Sequence, residues 1–244
     1  MSNKLVLAWR NTATRIWTPV GILQFKDNKY HFHYTNGAKS ENFIPFGKLE
    51  NKESTYVSET LFPIFQNRLL AKSRPEYEDY LKWLDIQSNN NNNLLELSRS
   101  RGIRATDELQ LFPMPEVNEE GNYEVLFFSH GISHMSKHYA KRLDKLNEND
   151  SLLILKDVQN KFDEKALLIR TEDDPVELLG YCPSFFIDDF NKLMKLNGER
   201  QVNVIVRKVN SDAPLQLKLL CKLTTKWPNG FKSFDSEDFK KYTK

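Results

Sequence analysis

The chain has 244 residues, 39% of them hydrophobic and 12% aromatic, enough for one large core or two small ones. Lys and Arg total 35 against 33 Asp and Glu, and a net charge of +2 excludes a nucleic-acid coat that works by bulk charge. Nine Gly, ten Pro and two Cys exclude a low-complexity chain and a disulfide scaffold and fit a reducing, cytoplasmic setting, while no apolar run nears the ~18–20 residues of a membrane span.

In chain order, residues 4–9 and 17–24 alternate well enough for strands. Asn28 opens a turn. Tyr30, Phe32 and Tyr34 then alternate with His31 and His33, the period of a half-buried strand, and Asn36-Gly37 signals another turn. Pro75 suits a first helical position behind Ser73, and Tyr77, Tyr80, Leu81 and Leu84 recur at helical spacing. The asparagine run at 89–93 reads as a joint, because Asn favours turns and packs poorly. The first module is therefore 1–86, and 87–120 is a linker holding a short helix near 94–97 and a basic turn at 99–104.

Gly121-Asn122 opens a second module. Residues 123–129, 152–155 and 166–170 read as strands, 185–196 as a helix carrying Phe186, Phe190, Leu193 and Met194, and 202–206 and 215–223 as further strands. Several short strands with one main helix predict a small barrel-like module over 121–225, and the whole chain as α+β. Residues 226–244 read as a basic tail.

Phosphate-cradling glycine loops, nucleophile elbows and kinase signatures are all missing, so no catalytic residue, cofactor or metal is assigned. His130, His134 and His138 have a spacing that would align on one helix face, yet they follow an apolar strand and fit solvated loop positions better than a metal site. Leu61, Phe62, Ile64 and Phe65 cluster around Pro63. They form either a core plug or an exposed contact for a partner, and Trp17 invites the same two readings.

The first module resembles the N-terminal subdomain of HipA-type serine/threonine kinases, which also occurs alone as the HipS antitoxin. The resemblance is carried by Trp9-Arg10-Asn11, Val20-Gly21-Ile22-Leu23, the Tyr30 to Tyr34 strand, Ile44-Pro45-Phe46, the Leu61 to Asn67 stretch and the segment from Arg74 to Leu84. It implies a non-catalytic regulatory piece that binds and restrains a separately encoded HipA-like kinase, with Trp17, Phe62, Pro63 and Phe65 as the contact.

The second module resembles a HIRAN domain, a small barrel-like unit that binds DNA ends, notably single-stranded 3′ ends. Its matching segments are Ser129-His130-Gly131-Ile132, Asn160-Lys161-Phe162-Asp163-Glu164-Lys165-Ala166, and Leu179-Gly180-Tyr181-Cys182-Pro183. The resemblance implies DNA contacts at Ser133, His134, Phe162, Asp163 and Tyr181. Ser133 stands where the family has a phosphate-binding Arg, and Phe162 where it has a Tyr. Asp163 either accepts from a free 3′-hydroxyl or caps its own turn.

Charge is uneven. Residues 121–199 carry 10 basic and 14 acidic side chains, and residues 200–244 carry 10 and 4. Lys226, Lys232, Lys240, Lys241 and Lys244 either meet phosphates or sit on a solvated tail. Three functions follow: an antitoxin-like kinase regulator with a HIRAN domain, a stand-alone DNA-end binder, or a metal-dependent hydrolase using the histidines and Asp163.

Overall fold

The computed structural model describes residues 3–135, 142–161 and 163–244, with backbone only at Asn90 and His134. The architecture is α+β. It divides into one unit formed by 1–114 with 232–244, and a second formed by 115–231. Among the described residues, no helix is long and apolar enough to cross a membrane.

The first unit is built on an antiparallel sheet of β1 (Lys4–Arg10), β2 (Trp17–Lys26), β3 (Lys29–Tyr34), β4 (Thr55–Ser58) and β5 (Leu109–Pro113), in the order β4-β3-β2-β1-β5. Asp27 and Asn28 both take positive φ, 51° and 62°, and so form the tight two-residue turn that suits the twist of a β2–β3 hairpin. Phe32 and Tyr34 point to one face, where they pack with Leu5, Leu7, Leu23, Phe43 and Phe65. The Tyr34 hydroxyl is satisfied there, donating to the Leu49 carbonyl (2.8 Å) and accepting from the Phe46 amide (2.9 Å). Two short helices, α1 (Pro63–Gln66) and α3 (Asn93–Ser100), join this face, and α2 (Tyr77–Trp83) is tied to α3 by the Tyr77 hydroxyl, which donates to Glu96 Oε2 at 3.0 Å. The α2 helix buries Tyr77 and Leu81 as its spacing predicts, but it starts two residues beyond Pro75, which lies in the preceding turn.

The opposite face of the sheet is also buried, which explains why Leu5, Val6, Leu7 and Ala8 are all inside. Val6 lies opposite Ile22 and Phe112. Phe112 meets Phe234 with ring centroids 5.5 Å apart, and Phe234 stacks on Phe239 at 4.7 Å. Residues 232–244 thus pack on this unit. The Asn36 amide donates to the Lys240 carbonyl (2.8 Å), Lys241 bridges to Thr35, and the Tyr242 amide donates to the Tyr34 carbonyl (2.9 Å). The expectation of a solvated tail over 226–244 is therefore corrected. Lys226 ends a strand, Phe231 and Phe234 are buried, and the Lys241 ammonium donates to Thr55 Oγ1 (2.9 Å).

The linker expected at 87–120 is likewise corrected. Asn92 caps α3, accepting from the Leu95 amide at 2.8 Å, and Asn91 donates to the Tyr77 hydroxyl at 2.7 Å. Leu94 and Leu97 are buried, and β5 pairs along β1. The asparagine run begins a helix inside the first unit because Asn is a good cap as well as a good turn residue.

The second unit is a six-stranded antiparallel sheet: β6 (Asn122–Phe128), β7 (Ser151–Lys156), β8 (Leu167–Thr171), β9 (Leu178–Tyr181), β10 (Asn203–Val209) and β11 (Leu219–Lys226), in the order β6-β11-β10-β7-β8-β9. Beyond the end of β6, His130 bridges Tyr181 at the end of β9, so the two edges of the sheet meet there. The helix α4 (Ile187–Asn197) buries Phe190 and Leu193, and Phe190 stacks on Phe186 at 5.6 Å and meets Tyr123 edge-on at 6.3 Å. Trp227 and Phe231 pack on Tyr123 at 5.7 and 6.0 Å.

Candidate nucleic-acid interface

The meeting of β6 and β9 collects three distant stretches of sequence. The His130 amide donates to the Tyr181 carbonyl and the Tyr181 amide to the His130 carbonyl, both at 2.9 Å. The Ser129 hydroxyl donates to the Leu179 carbonyl at 2.6 Å. This approach is possible only because residue 180 is glycine. Its φ is 113°, and a Cβ there would lie 2.1 Å from Ser129 Oγ and 2.5 Å from the His130 carbonyl. Gly131, at φ 66°, opens a 3₁₀ turn over Ile132–His134, and a Cβ on it would lie 3.0 Å from the Tyr181 ring.

The third stretch is the 157–166 connection between β7 and β8. The Tyr181 hydroxyl donates to Asp157 Oδ2 at 2.9 Å, and Asn160 Nδ2 donates to the same oxygen at 3.3 Å. Asn160 Oδ1 accepts from the Asp163 amide (3.0 Å), and Asp163 Oδ1 accepts from the Lys165 amide (2.9 Å). The turn is closed by the Asp157 amide on the Ala166 carbonyl and the Ala166 amide on the Asp163 carbonyl. Burial raises the Tyr181 phenol above its ordinary range, and its bond to the Asp157 carboxylate adds to the rise. Lys165 pairs with Asp188 at 2.8 Å, and this bond holds its ammonium above its usual value.

Tyr181 is therefore joined to Asp163 through the side chains of Asp157 and Asn160, the last link being the Asp163 backbone amide. Asp163 performs the turn-capping role with one carboxylate oxygen. Ser133 is exposed on the 3₁₀ turn two residues beyond Gly131. His134 is placed by its backbone in that turn, and Phe162 and His138 lie outside the described residues. Asp157 and Asn160 are the residues the sequence reading leaves out of the site. Asn160 heads the second matching segment and organises it. Asp157 precedes that segment, and the signal for it is a carboxylate just after a strand and three residues ahead of an Asn. Among the described residues, no group of three or more His, Cys, Asp or Glu could hold a metal. Cys182 and Cys221 are buried free thiols, pushed up by their burial.

The expected kinase contact does not assemble as a surface. Phe65 is wholly buried and Phe62 is 9% exposed, each packed against Phe32 at 5.5 and 6.4 Å. Pro63 is exposed as the first residue of α1, and its position directs the two flanking rings inward. Trp17 is half-buried with the Arg10 guanidinium 5.5 Å over its ring. The aromatic cluster is a core plug, and Phe62 and Phe65 are buried in it instead of forming a surface contact.

No protein-family model matches the chain, and no curated protein matches it. Two solved structures share slight likeness with part of it. One is a crystal structure of a protein from Lactobacillus plantarum, a structural genomics target, 16% identical over 43% of this chain and 99% of its own at a TM-score of 0.32. The other is the crystal structure of the HIRAN domain of human HLTF, 12% identical over 45% of this chain and 84% of its own at a TM-score of 0.31.

Proposed function

We propose that the protein is a non-catalytic binding protein whose second unit is a HIRAN-like reader of single-stranded 3′ ends. The supporting observation is the convergence on Tyr181. Its backbone holds His130, its ring lies against Gly131, and its hydroxyl reaches Asp157 in the turn that ends with Asp163. These contacts unite the three segments that resemble the HIRAN family.

The chemistry favours a hydroxyl over a phosphate at the end. Asp157 and Asp163 are acceptors that a free 3′-hydroxyl can donate to and a terminal phosphate would be repelled by. Gly131 leaves the ring edge of Tyr181 uncrowded, and an aromatic ring gives a base a sequence-tolerant partner. With more acid than base over 121–199, such binding would rely little on counterion release.

Fluorescence anisotropy with single strands ending in 3′-hydroxyl or 3′-phosphate tests this reading. Preference for the hydroxyl, reduced by Asp163→Ala and by Tyr181→Ala, is the expected result. Equal affinity for the two ends, or no binding, removes end recognition.

The first unit's resemblance to HipS supports a second reading, docking on a separately encoded HipA-like kinase in an antitoxin-like role. That surface would exclude Phe62 and Phe65. Co-purification with such a kinase and suppression of its toxicity would support it, and failure of both would remove it.

A further inference from the structure

Asp157 and Asp163 differ in what they leave free. Every polar atom of Asp157 is engaged. Its amide donates to the Ala166 carbonyl (2.9 Å), and its carbonyl accepts from the Asn160 amide (3.2 Å). Its Oδ1 accepts from the Gln159 amide (3.2 Å), and its Oδ2 from the Tyr181 hydroxyl (2.9 Å) and Asn160 Nδ2 (3.3 Å). Asp163 is tied by its amide, its carbonyl and Oδ1, and among the described residues no donor reaches its Oδ2.

A chain of bonds leads from the sheet to the turn. Tyr181 is fixed by its backbone pair with His130, where β6 and β9 meet. Its hydroxyl holds Asp157, Asp157 holds the Asn160 side chain, and Asn160 Oδ1 holds the Asp163 amide at 3.0 Å. A carboxylate suits position 157 because it has acceptors only. One oxygen can take both side-chain donors while the other takes the Gln159 amide. An amide at 157 would turn its own N–H donors on one of these partners.

We infer that Asp157 is a positioning residue of the end-reading site, which makes no contact with nucleic acid but fixes Asn160, and through it the turn that keeps Asp163 Oδ2 free to accept from a terminal 3′-hydroxyl. This role rests on the end-reading proposed above and divides the two carboxylates between two tasks. Asp163 meets the end, and Asp157 acts through Asn160. A bare charge at 157 would act differently. It would repel a 3′-phosphate whatever its hydrogen bonds, and an amide would lose that effect as fully as a methyl group.

Affinities for single strands ending in 3′-hydroxyl or 3′-phosphate, measured on the full chain and on its Asp157→Ala and Asp157→Asn variants, test it. The preference for the hydroxyl end should fall about tenfold in Asp157→Ala, through weaker binding of that end. Asp157→Asn, which can retain the bonds to Tyr181 and Asn160, should keep part of the preference. Amide hydrogen exchange without DNA is the second readout. Asp157→Ala should speed exchange at the Asp163 amide and leave the Tyr181 amide, bonded to the His130 carbonyl, protected. Should Asp157→Ala lose that protection, Tyr181→Phe takes its place, since it removes the same bond from the donor side, and the preference should fall likewise. An undiminished preference, equal losses in the Asn and Ala variants, or unchanged exchange at Asp163 overturns the inference and leaves end-reading standing. A native chain without preference for the hydroxyl removes end-reading, and this role with it.

Discussion

The Tyr181 hydroxyl donates to Asp157 Oδ2 at 2.9 Å, tying the last residue of β9 to the first residue after β7. Removing that oxygen leaves the carboxylate with one donor fewer. Tyr181→Phe is expected to lower stability by about 1 kcal/mol while keeping the ring face. Urea unfolding measures the loss. An unchanged midpoint would mean that water replaces the hydroxyl at no cost.

Gly180 and Gly131 differ in what a methyl group would meet. Gly180→Ala places a Cβ 2.1 Å from Ser129 Oγ at a φ of 113°, so the edges of the sheet cannot close as they do. A cost of about 3 kcal/mol or more is expected. Gly131→Ala meets only the Tyr181 ring at 3.0 Å, with φ 66°, and about 1 kcal/mol is expected. Thermal unfolding of both variants checks the order, and Gly131→Ala proving the worse would contradict this account.

Residues 232–244 are part of the first unit's core. Phe234→Ala removes a ring that is 7% exposed and packed on Phe112, and should cost about 3 kcal/mol. A chain ending at Phe231 would bare Val6, Ile22 and Phe112 together and is expected to aggregate. Hydrogen exchange at β1 reports both. Undiminished protection of Val6 and Leu7 in either variant would refute the packing role.

His33 faces away from the aromatic core, beside Lys241, and its pKa is lowered to about 4, chiefly by burial and secondarily by that ammonium. The folded chain therefore resists a proton that the unfolded chain accepts near pH 6.5. Stability from this residue is whole above about pH 6.5 and falls as pH drops toward about 4. Urea midpoints at pH 7, 6 and 5 should decline, and His33→Gln should flatten the decline. An equal slope in the variant would assign the loss to carboxylates instead.

The strands of the second unit were legible wherever an alternation survived, as at Val202, Val204 and Val206, because one face of each strand is buried and the other wet. The same rule read Phe32 and Tyr34 correctly as facing inward. It failed at β5, a short strand that ends in Pro113 and whose place depends on pairing with β1 at least a hundred residues earlier. It failed again at 232–244, where no period exists and lysines suggest solvent, although Phe234 and Phe239 hold the segment down. In the candidate site, Gly131 and Gly180 were visible as motif glycines, but Asp157 was not. Its role arises from Tyr181, twenty-four residues later.

The first unit is interrupted in sequence, since residues 115–231 intervene between β5 and the segment that covers the sheet. The ends of that insertion are fastened together, with Asn122 paired to Lys226 and the Trp227 amide on the Gly121 carbonyl at 3.0 Å. When the second unit is folded, residues 232–244 need close only a short flexible path to reach the sheet. When it is unfolded, they must close a loop of more than a hundred residues. The difference in closure entropy is on the order of 2 kcal/mol. The two units are thus energetically linked through chain connectivity alone, and a ligand that stabilises the inserted unit would also protect the sheet that brackets it.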